Sequence, residues 1–238
     1  TYIDSGDYTG ALFEIETAME HNSESPEAYV QKGYIHLIKG ELNQANEALS
    51  FVEEHIDEFK EEESKYAGLL NIGNLKYQQN NFEEALSFFE RAKSIDASDP
   101  VLYNAIGLCY IAIGDSEKAK EAYSTTIDLD GQNFYAYGNL ASLFLKEGEI
   151  NRGLNEINTA LGINLYVPQF YLIKGELLST IGQTDEAIAI YSEALNVWDS
   201  FGDAYYRRGD LYLSIGNYLE AANDFSLSKD YGKVEGLL

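Results

Sequence analysis

The sequence predicts an all-helical protein built as a solenoid, in which copies of one helix pair stack on each other. Glycine recurs with a period of 34 residues, and Ala141 fills the one missing place of the series Gly73, Gly107, Gly175 and Gly209. Large apolar residues three positions before and after the glycine add a stripe of helical spacing. A fixed period of this length is typical of a supersecondary unit that cannot bury its apolar face alone.

Each repeat is predicted to hold two antiparallel helices. The first helix carries the periodic glycine and ends at a turn residue seven or eight positions later, namely Gly40, Asn80, Gly114, Gly148, Gly182 or Gly216. The second helix places a small residue four positions before a bulky one, as in Ala45/Leu49, Ala85/Phe89, Ala119/Tyr123, Ala187/Tyr191 and Ala221/Phe225. Small residues opposite large ones favour close packing of the two helices.

These residues resemble the tetratricopeptide repeat family, whose pattern is a bulky residue, Leu-Gly, Tyr, then Ala, Phe and Ala. The resemblance implies a right-handed superhelical solenoid of antiparallel helix pairs with about six and a half repeats. We expect one domain, 1–238, with a half repeat at 1–25 and full repeats at 26–65, 66–99, 100–133, 134–167, 168–201 and 202–235. Pro26, Pro100 and Pro168 stand at repeat starts, where proline suits a first helical turn.

One repeat is irregular, because six residues are inserted between Val52 and Tyr66. Val52, Ile56 and Phe59 keep helical spacing, which predicts a second helix prolonged by about one and a half turns that projects from the array. A secondary acidic site for a basic partner or a cation is predicted on this segment, formed by Glu58, Glu61 and Glu62. The alternative is an ordinary solvated acidic surface.

Composition narrows the classes of partner. Sixteen Lys and Arg oppose forty Asp and Glu, so the net charge is −24. Such a chain repels phosphates and anionic lipids, which predicts no nucleic-acid binding, and no run is long enough for membrane insertion. The chain begins inside a repeat, so the compartment stays open: the cytoplasm is favoured over export.

No catalytic or metal-binding pattern stands out, and we predict a protein that is not an enzyme and needs no cofactor or metal. His21, His36 and His55 do not cluster, and His36 takes the place of a core Tyr in other repeats. Residues 128–133 resemble the opening of a calcium loop but lack the closing glutamate. Cys109 has no basic neighbour and is predicted to be a small core hydrophobe.

In the family that the chain resembles, the first helices line a concave groove. Carried over by that resemblance, a peptide-binding groove would contain Gln31, Tyr34, Leu37, Asn71, Asn74, Tyr77, Asn104, Leu108, Asn139, Ser142 and Arg207. The amides would hold the backbone of an extended peptide while the tyrosines and leucines take its apolar side chains. The alternative is that polar residues are merely tolerated there.

Some family members hold acidic chaperone tails through a clamp of Lys, Arg and Asn, of which only Arg207 stands in a matching place. A neutral or basic segment is therefore the preferred ligand. We predict a non-catalytic scaffold that binds proteins or peptides. The alternatives are a regulatory or substrate-recruiting domain of a larger enzyme or sensor, and self-association through the terminal repeats.

Overall fold

The computed structural model describes residues 7–21 and 25–232, and over these residues it contains helices and no strands. The chain divides into two compact halves that meet between Leu129 and Asp130. The first half contains α1 (Tyr8–His21), α2 (Pro26–Ile38), α3 (Leu42–His55), α4 (Glu62–Gln78), α5 (Phe82–Ile95), α6 (Pro100–Ile113) and α7 (Ser116–Leu129). The second half contains α8 (Phe134–Glu147), α9 (Ile150–Ile163), α10 (Pro168–Thr180), α11 (Thr184–Val197), α12 (Gly202–Ser214) and α13 (Tyr218–Tyr231). The predicted all-helical class is confirmed.

Local signals fix where the helices begin and end. Pro26, Pro100 and Pro168 occupy first-turn positions as predicted. The Asp99 carboxylate accepts a hydrogen bond of 2.8 Å from the Val101 N–H, which caps α6. The predicted turns are confirmed at Gly114, with φ 91°, and at Asn80, with φ 63°, the one non-glycine residue with positive φ in the described part of the chain. Glycine and asparagine tolerate this left-handed conformation.

In the repeats that carry the periodic glycine, this residue lies under a large side chain from the second helix. A Cβ atom on Gly107 would stand 2.4 Å from the ring of Tyr123, and one on Gly175 would stand 2.4 Å from the ring of Tyr191. The second helix can approach this closely only because no side chain intervenes. The predicted close packing of small against large residues is therefore confirmed at these two positions.

Small residues also permit stacking between consecutive repeats in the second half. A Cβ atom on Gly138 of α8 would stand 2.3 Å from the ring of Phe170 in α10, and one on Gly153 would stand 2.7 Å from Leu177. Phe170 and Leu177 are both buried in the core of this half. The 34-residue period of the other glycines did not reveal these two contacts.

The inserted segment differs from the sequence prediction. The second helix α3 is not prolonged, because it ends at His55 and is followed by a 3-10 turn at Ile56–Glu58 and an extended Phe59. The segment does not project at this point, since Ile56 is buried against Gly68 of α4. Four residues of helix are gained instead at the start of α4, which begins at Glu62 and is 17 residues long. The turn buries Ile56, whereas its neighbours remain in solvent.

The half repeat at the N-terminus forms the single helix α1, with Ala11 and Ile15 packed near Ile35 of α2. Ala18 of the same helix is exposed. Residues 1–6 and 22–24 of the predicted half repeat lie outside the described residues.

We predict that Gly107→Ala lowers the free energy of unfolding by about 1–3 kcal/mol, because the added methyl group must displace the Tyr123 ring. Gly162 in α9 is the matched control, since a Cβ there meets no atom within 4 Å. Gly162→Ala should raise stability by about 0.5 kcal/mol through helix propensity. Urea unfolding of both variants measures the difference. Equal stability of the two variants would contradict the close approach at Gly107.

The hydroxyl of Tyr123 is buried without a hydrogen-bond partner among the described residues. Burial is the main cause that raises its pKa. We expect Tyr123→Phe to leave the free energy of unfolding unchanged or to raise it by up to about 1 kcal/mol, because an unsatisfied polar group is removed. Tyr171→Phe is the control: its hydroxyl donates to the Leu165 carbonyl at 3.2 Å, so about 1 kcal/mol should be lost. A loss of stability in Tyr123→Phe equal to that in the control would count against the orphaned hydroxyl.

Candidate protein-binding surface

In the first half, the candidate surface lies on the first helices α2, α4 and α6. Gln31 and Tyr34 of α2 are exposed. Asn74 of α4 and Asn104 and Leu108 of α6 are half-buried, which leaves part of each side chain at the surface. An amide-bearing residue therefore stands on each of α4 and α6, with apolar atoms of Tyr34 and Leu108 on the helices of the same half.

Two residues of the predicted groove, Leu37 and Asn71, are buried, so little of either side chain is available to a ligand. Leu37 belongs to the hydrophobic core of the first half. Asn71 is 6% exposed, and its side-chain Nδ2 donates to the backbone carbonyl of Val30 at 3.4 Å. The amide of Asn71 thus ties α4 to the preceding first helix α2. Because a buried amide must be hydrogen-bonded, this internal bond already uses a donor that a peptide would need.

Tyr77 forms part of the core wall more than of the surface. Its ring packs at 5.5 Å from the ring of Phe82, and the side chain is half-buried against the core of the first half. Burial, followed by the nearby Cys109 thiol, raises the pKa of Tyr77. The residue can offer the edge of its ring to a ligand, while its hydroxyl stays protonated at neutral pH.

In the second half, Asn139 and Ser142 of α8 are half-buried at the predicted positions. Arg207 of α12 pairs with Glu176 of α10, with 3.4 Å between Nη2 and Oε2. This pair offsets the positive charge that sequence analysis assigned to the groove. The sequence signal for this ion pair was the presence of opposite charges, Glu176 and Arg207, on successive first helices.

The neighbouring Arg208 points into the protein. Its Nε and Nη2 each donate to the Asp224 carboxylate at 2.8 Å, and its Nη1 donates to the Ser192 hydroxyl at 2.9 Å. The hydrogen bond to Asp224 is the main cause that raises the pKa of Arg208. Sequence reasoning missed this buried pair. The sequence signal for this pair was the separation of 16 residues between Arg208 and Asp224. Gly107 and Tyr123, which face each other across a helix pair, have the same separation.

The secondary acidic site is exposed at all three predicted residues, Glu58, Glu61 and Glu62. Glu62 lies in the first turn of α4, where a carboxylate interacts favourably with the helix dipole. Two basic side chains are close by, because Lys65 and Arg91 reach the Asp57 carboxylate at 3.3 and 3.7 Å. The negative potential of this segment is therefore partly compensated.

His36, His55 and Cys109 pack within the fold. His36 is a buried ring, as predicted, and its Nδ1 lies 2.6 Å from a carboxylate oxygen of Glu41. His55 stacks on Phe51 with 4.2 Å between ring centroids. Burial raises the pKa of the Cys109 thiol to about 12, which opposes nucleophilic reactivity. The side chain of His21 lies outside the described residues, and over the described residues no three His, Cys, Asp or Glu side chains are placed to hold a metal ion.

Comparison with known proteins identifies the family. Models described as tetratricopeptide repeat match residues 66–99, 101–133 and 174–227, together just over half of the chain. The chain belongs to the tetratricopeptide repeat family. Among the residues that the structure describes, no helix has both the length and the apolar character needed to cross a bilayer.

The relatives are longer than this chain. TPR repeat-containing protein MJ1428 of Methanocaldococcus jannaschii is 29% identical over 60% of this chain and 27% of that protein. UDP-N-acetylglucosamine--peptide N-acetylglucosaminyltransferase of Giardia intestinalis is 29% identical over 53% of this chain and 9% of that enzyme. The chain thus spans about a quarter of the archaeal relative and under a tenth of the Giardia enzyme.

Solved structures confirm the fold. A tetratricopeptide repeat protein from Parabacteroides merdae has a TM-score of 0.71 and 19% identity, covering 98% of this chain and 90% of that chain. YrrB, described as a TPR protein with an unusual peptide-binding site, has a TM-score of 0.56 and 21% identity, covering 71% of this chain and 87% of that chain. At these identities the similarity establishes the helical solenoid fold alone.

The burial of Asn71 makes a prediction that separates structure from binding. Asn71→Ala should lower the free energy of unfolding by about 1 kcal/mol, because the bond to the Val30 carbonyl is lost. Asn74→Ala, one helical turn further along the partly exposed surface, should change it by less than about 0.5 kcal/mol. Thermal unfolding of both variants tests this. If Asn74→Ala lost more free energy of unfolding than Asn71→Ala, the structural role would belong to Asn74 and not to Asn71.

Proposed function

We propose that this chain is a non-catalytic scaffold that binds an extended protein segment on the surface of its first helices. The observation that carries the proposal is the partial exposure of Asn74, Asn104, Leu108 and Tyr34 on α2, α4 and α6. Protein binding is what the family fold supports in general. The choice of this surface is the finer proposal.

The amides provide the backbone recognition. An asparagine side chain can donate to a peptide carbonyl and accept from a peptide N–H, and Asn74 and Asn104 stand on consecutive first helices. Tyr34 and Leu108 supply apolar area for side chains of the bound segment. Asn71 is left out of this set, because it is buried. In the second half, the half-buried Asn139 and Ser142 stand at the corresponding positions of α8 and also carry groups that can donate and accept hydrogen bonds.

Charge selects the partner. The chain carries a net charge of −24, and the basic Arg207 of the candidate surface is paired with Glu176, with 3.4 Å between Nη2 and Oε2. An acidic segment would meet a field of its own sign. A neutral or basic segment is favoured, and the exposed Glu58, Glu61 and Glu62 would increase its association rate.

A second function has one specific observation in its favour. The chain matches only 9% of the Giardia glycosyltransferase, so a chain of this kind occurs as a small part of a larger enzyme. The alternative proposal is a regulatory or substrate-recruiting domain, which would bind the segment by the same surface and deliver it to a catalytic domain.

Selection of a random library of peptides of about 12 residues on the full chain tests the surface. We expect selected peptides to carry zero or positive net charge. Asn74→Ala with Asn104→Ala should weaken the peptides bound at this surface about tenfold, because two sets of backbone hydrogen bonds are lost. Isothermal titration with the resynthesised peptides gives the affinities.

Two control variants accompany the experiment. Asn43→Ala with Asn223→Ala changes two exposed asparagines on second helices and should leave the affinity within about twofold. Changing Glu58, Glu61 and Glu62 to Gln should reduce mainly the salt dependence of binding. If this acidic variant lost all binding while the Asn74/Asn104 variant bound like the parent, the acidic segment would be the true site.

A further inference from the structure

The turn between α9 and α10 exposes two large apolar side chains. Leu165 is 54% exposed and Tyr166 is 78% exposed. The same two positions hold Ala97-Ser98, Gly131-Gln132 and Asp199-Ser200 in three other repeats. Because these small or polar pairs stand in connections of the same length, the length of the connection does not require Leu and Tyr here. Exposing their apolar area to water is unfavourable, and the fold gains nothing from it.

These side chains lie on a firmly held base. The Tyr166 N–H donates to the Asn164 side-chain oxygen at 2.8 Å, and the Tyr171 hydroxyl donates to the Leu165 carbonyl at 3.2 Å. Tyr171 packs edge-on against Trp198 with 5.7 Å between ring centroids. The turn is thus fixed to α10 and to the end of the following helix, so binding would cost little ordering of this segment.

A second exposed ring lies at the start of α8, the first helix of the preceding repeat. Tyr135 is 55% exposed, and its ring centroid lies 6.5 Å from that of the buried Phe170, the neighbour of Tyr171 on α10. Because Tyr135 belongs to a first helix, we call only Leu165 and Tyr166 the turn patch. Aromatic residues on a rigid base are the type of side chain that contributes most to protein interfaces.

A missing repeat does not account for the turn patch. It lies between the helix pairs α8/α9 and α10/α11, and both are present. Leu219, which is 80% exposed at the start of α13, differs in this respect, because it belongs to the last described helix. The turn patch therefore remains uncovered although its neighbouring repeats are in place.

An exposed carboxylate lies near the turn patch. Glu193 is exposed, and its carboxylate lies close enough to Tyr171 to raise the pKa of that hydroxyl, with burial as the larger cause and Tyr166 as a further contributor. The turn 164–167 contains no basic residue. A second copy of this chain would bring another net charge of −24, so electrostatics disfavours self-association here.

We propose that the turn patch binds a partner segment with an aromatic or aliphatic anchor residue flanked by Lys or Arg. The anchor packs on Leu165 and Tyr166, while the basic side chains lie over the Tyr166 ring and next to the Glu193 carboxylate. This site is separate from the first-helix surface and does not depend on binding there.

The same peptide library, selected on the full chain, tests the proposal with a variant taken from the chain itself. Leu165→Ala with Tyr166→Ser installs the pair found at 97–98 and should keep the fold. We expect a group of selected peptides with the proposed composition whose affinity falls by about tenfold or more in this variant. Glu193→Gln should weaken the same peptides about threefold and reduce their salt dependence.

The controls separate this proposal from the first-helix surface. Leu219→Asn removes an exposed leucine of the last described helix, outside the turn patch. This variant should leave the affinity for these peptides within about twofold of the parent, and so should Asn74→Ala with Asn104→Ala. If every selected peptide depended on Asn74 and Asn104 and none on Leu165 and Tyr166, the turn-patch proposal would be wrong and the groove proposal would stand. If every selected peptide depended on Leu165 and Tyr166 and none on Asn74 and Asn104, the groove proposal would be wrong and the turn-patch proposal would stand.

Two further outcomes would overturn the turn patch as a site for a basic segment. Selection of acidic peptides that need Leu165 and Tyr166 would refute the charge preference. A mass that rises with concentration in sedimentation velocity, and stays monomeric in the Leu165/Tyr166 variant, would identify a second copy of the chain as the occupant. Failure to select any peptide would refute both binding surfaces.

Discussion

The distance between the two helices of a repeat is the constraint on which the other packing depends. In four repeats the periodic glycine of the first helix receives a ring from the second helix, as Gly107 receives Tyr123, whereas Gly33 receives the aliphatic Leu49. Where the first helix has Ala141 instead, the residue 16 positions later is the aliphatic Ile157, and both are fully buried in one core. A larger group on one helix is thus matched by a slimmer one on the other, because interiors are close-packed.

The helices, their turns and their proline starts could be predicted because each depends on a few neighbouring residues. The inserted segment could not. Val52, Ile56 and Phe59 have helical spacing, but a helix that stops at His55 and continues as a 3-10 turn buries Ile56 equally well. Apolar spacing records which side chains are inside. It does not distinguish a continued helix from a tight turn that brings the same side chain to the core.

The candidate site was only partly predictable, for a different reason. The position of a residue within the family's repeat pattern predicts which side of a helix it occupies. Its burial depends on which side chains the adjacent repeat packs over it. Asn71 therefore binds the Val30 carbonyl instead of facing solvent. Arg207 and Arg208 are consecutive, yet one pairs at the surface with Glu176 and the other enters the protein to meet Asp224. Such pairings between helices are non-local, and one repeat read alone does not contain them.

The repeat architecture also explains how two binding surfaces can coexist. In a solenoid each repeat contacts its neighbours, so a turn residue at the edge of a helix pair can change without disturbing the glycine-and-ring contacts inside it. The exposed pair Leu165-Tyr166 occupies such a position, whereas Asn74 and Asn104 belong to the helices that pack consecutive repeats together. Substitutions in the turn act mainly on binding. Substitutions along the first helices act on binding and packing together, which is why the burial of each asparagine decides how a variant is to be interpreted.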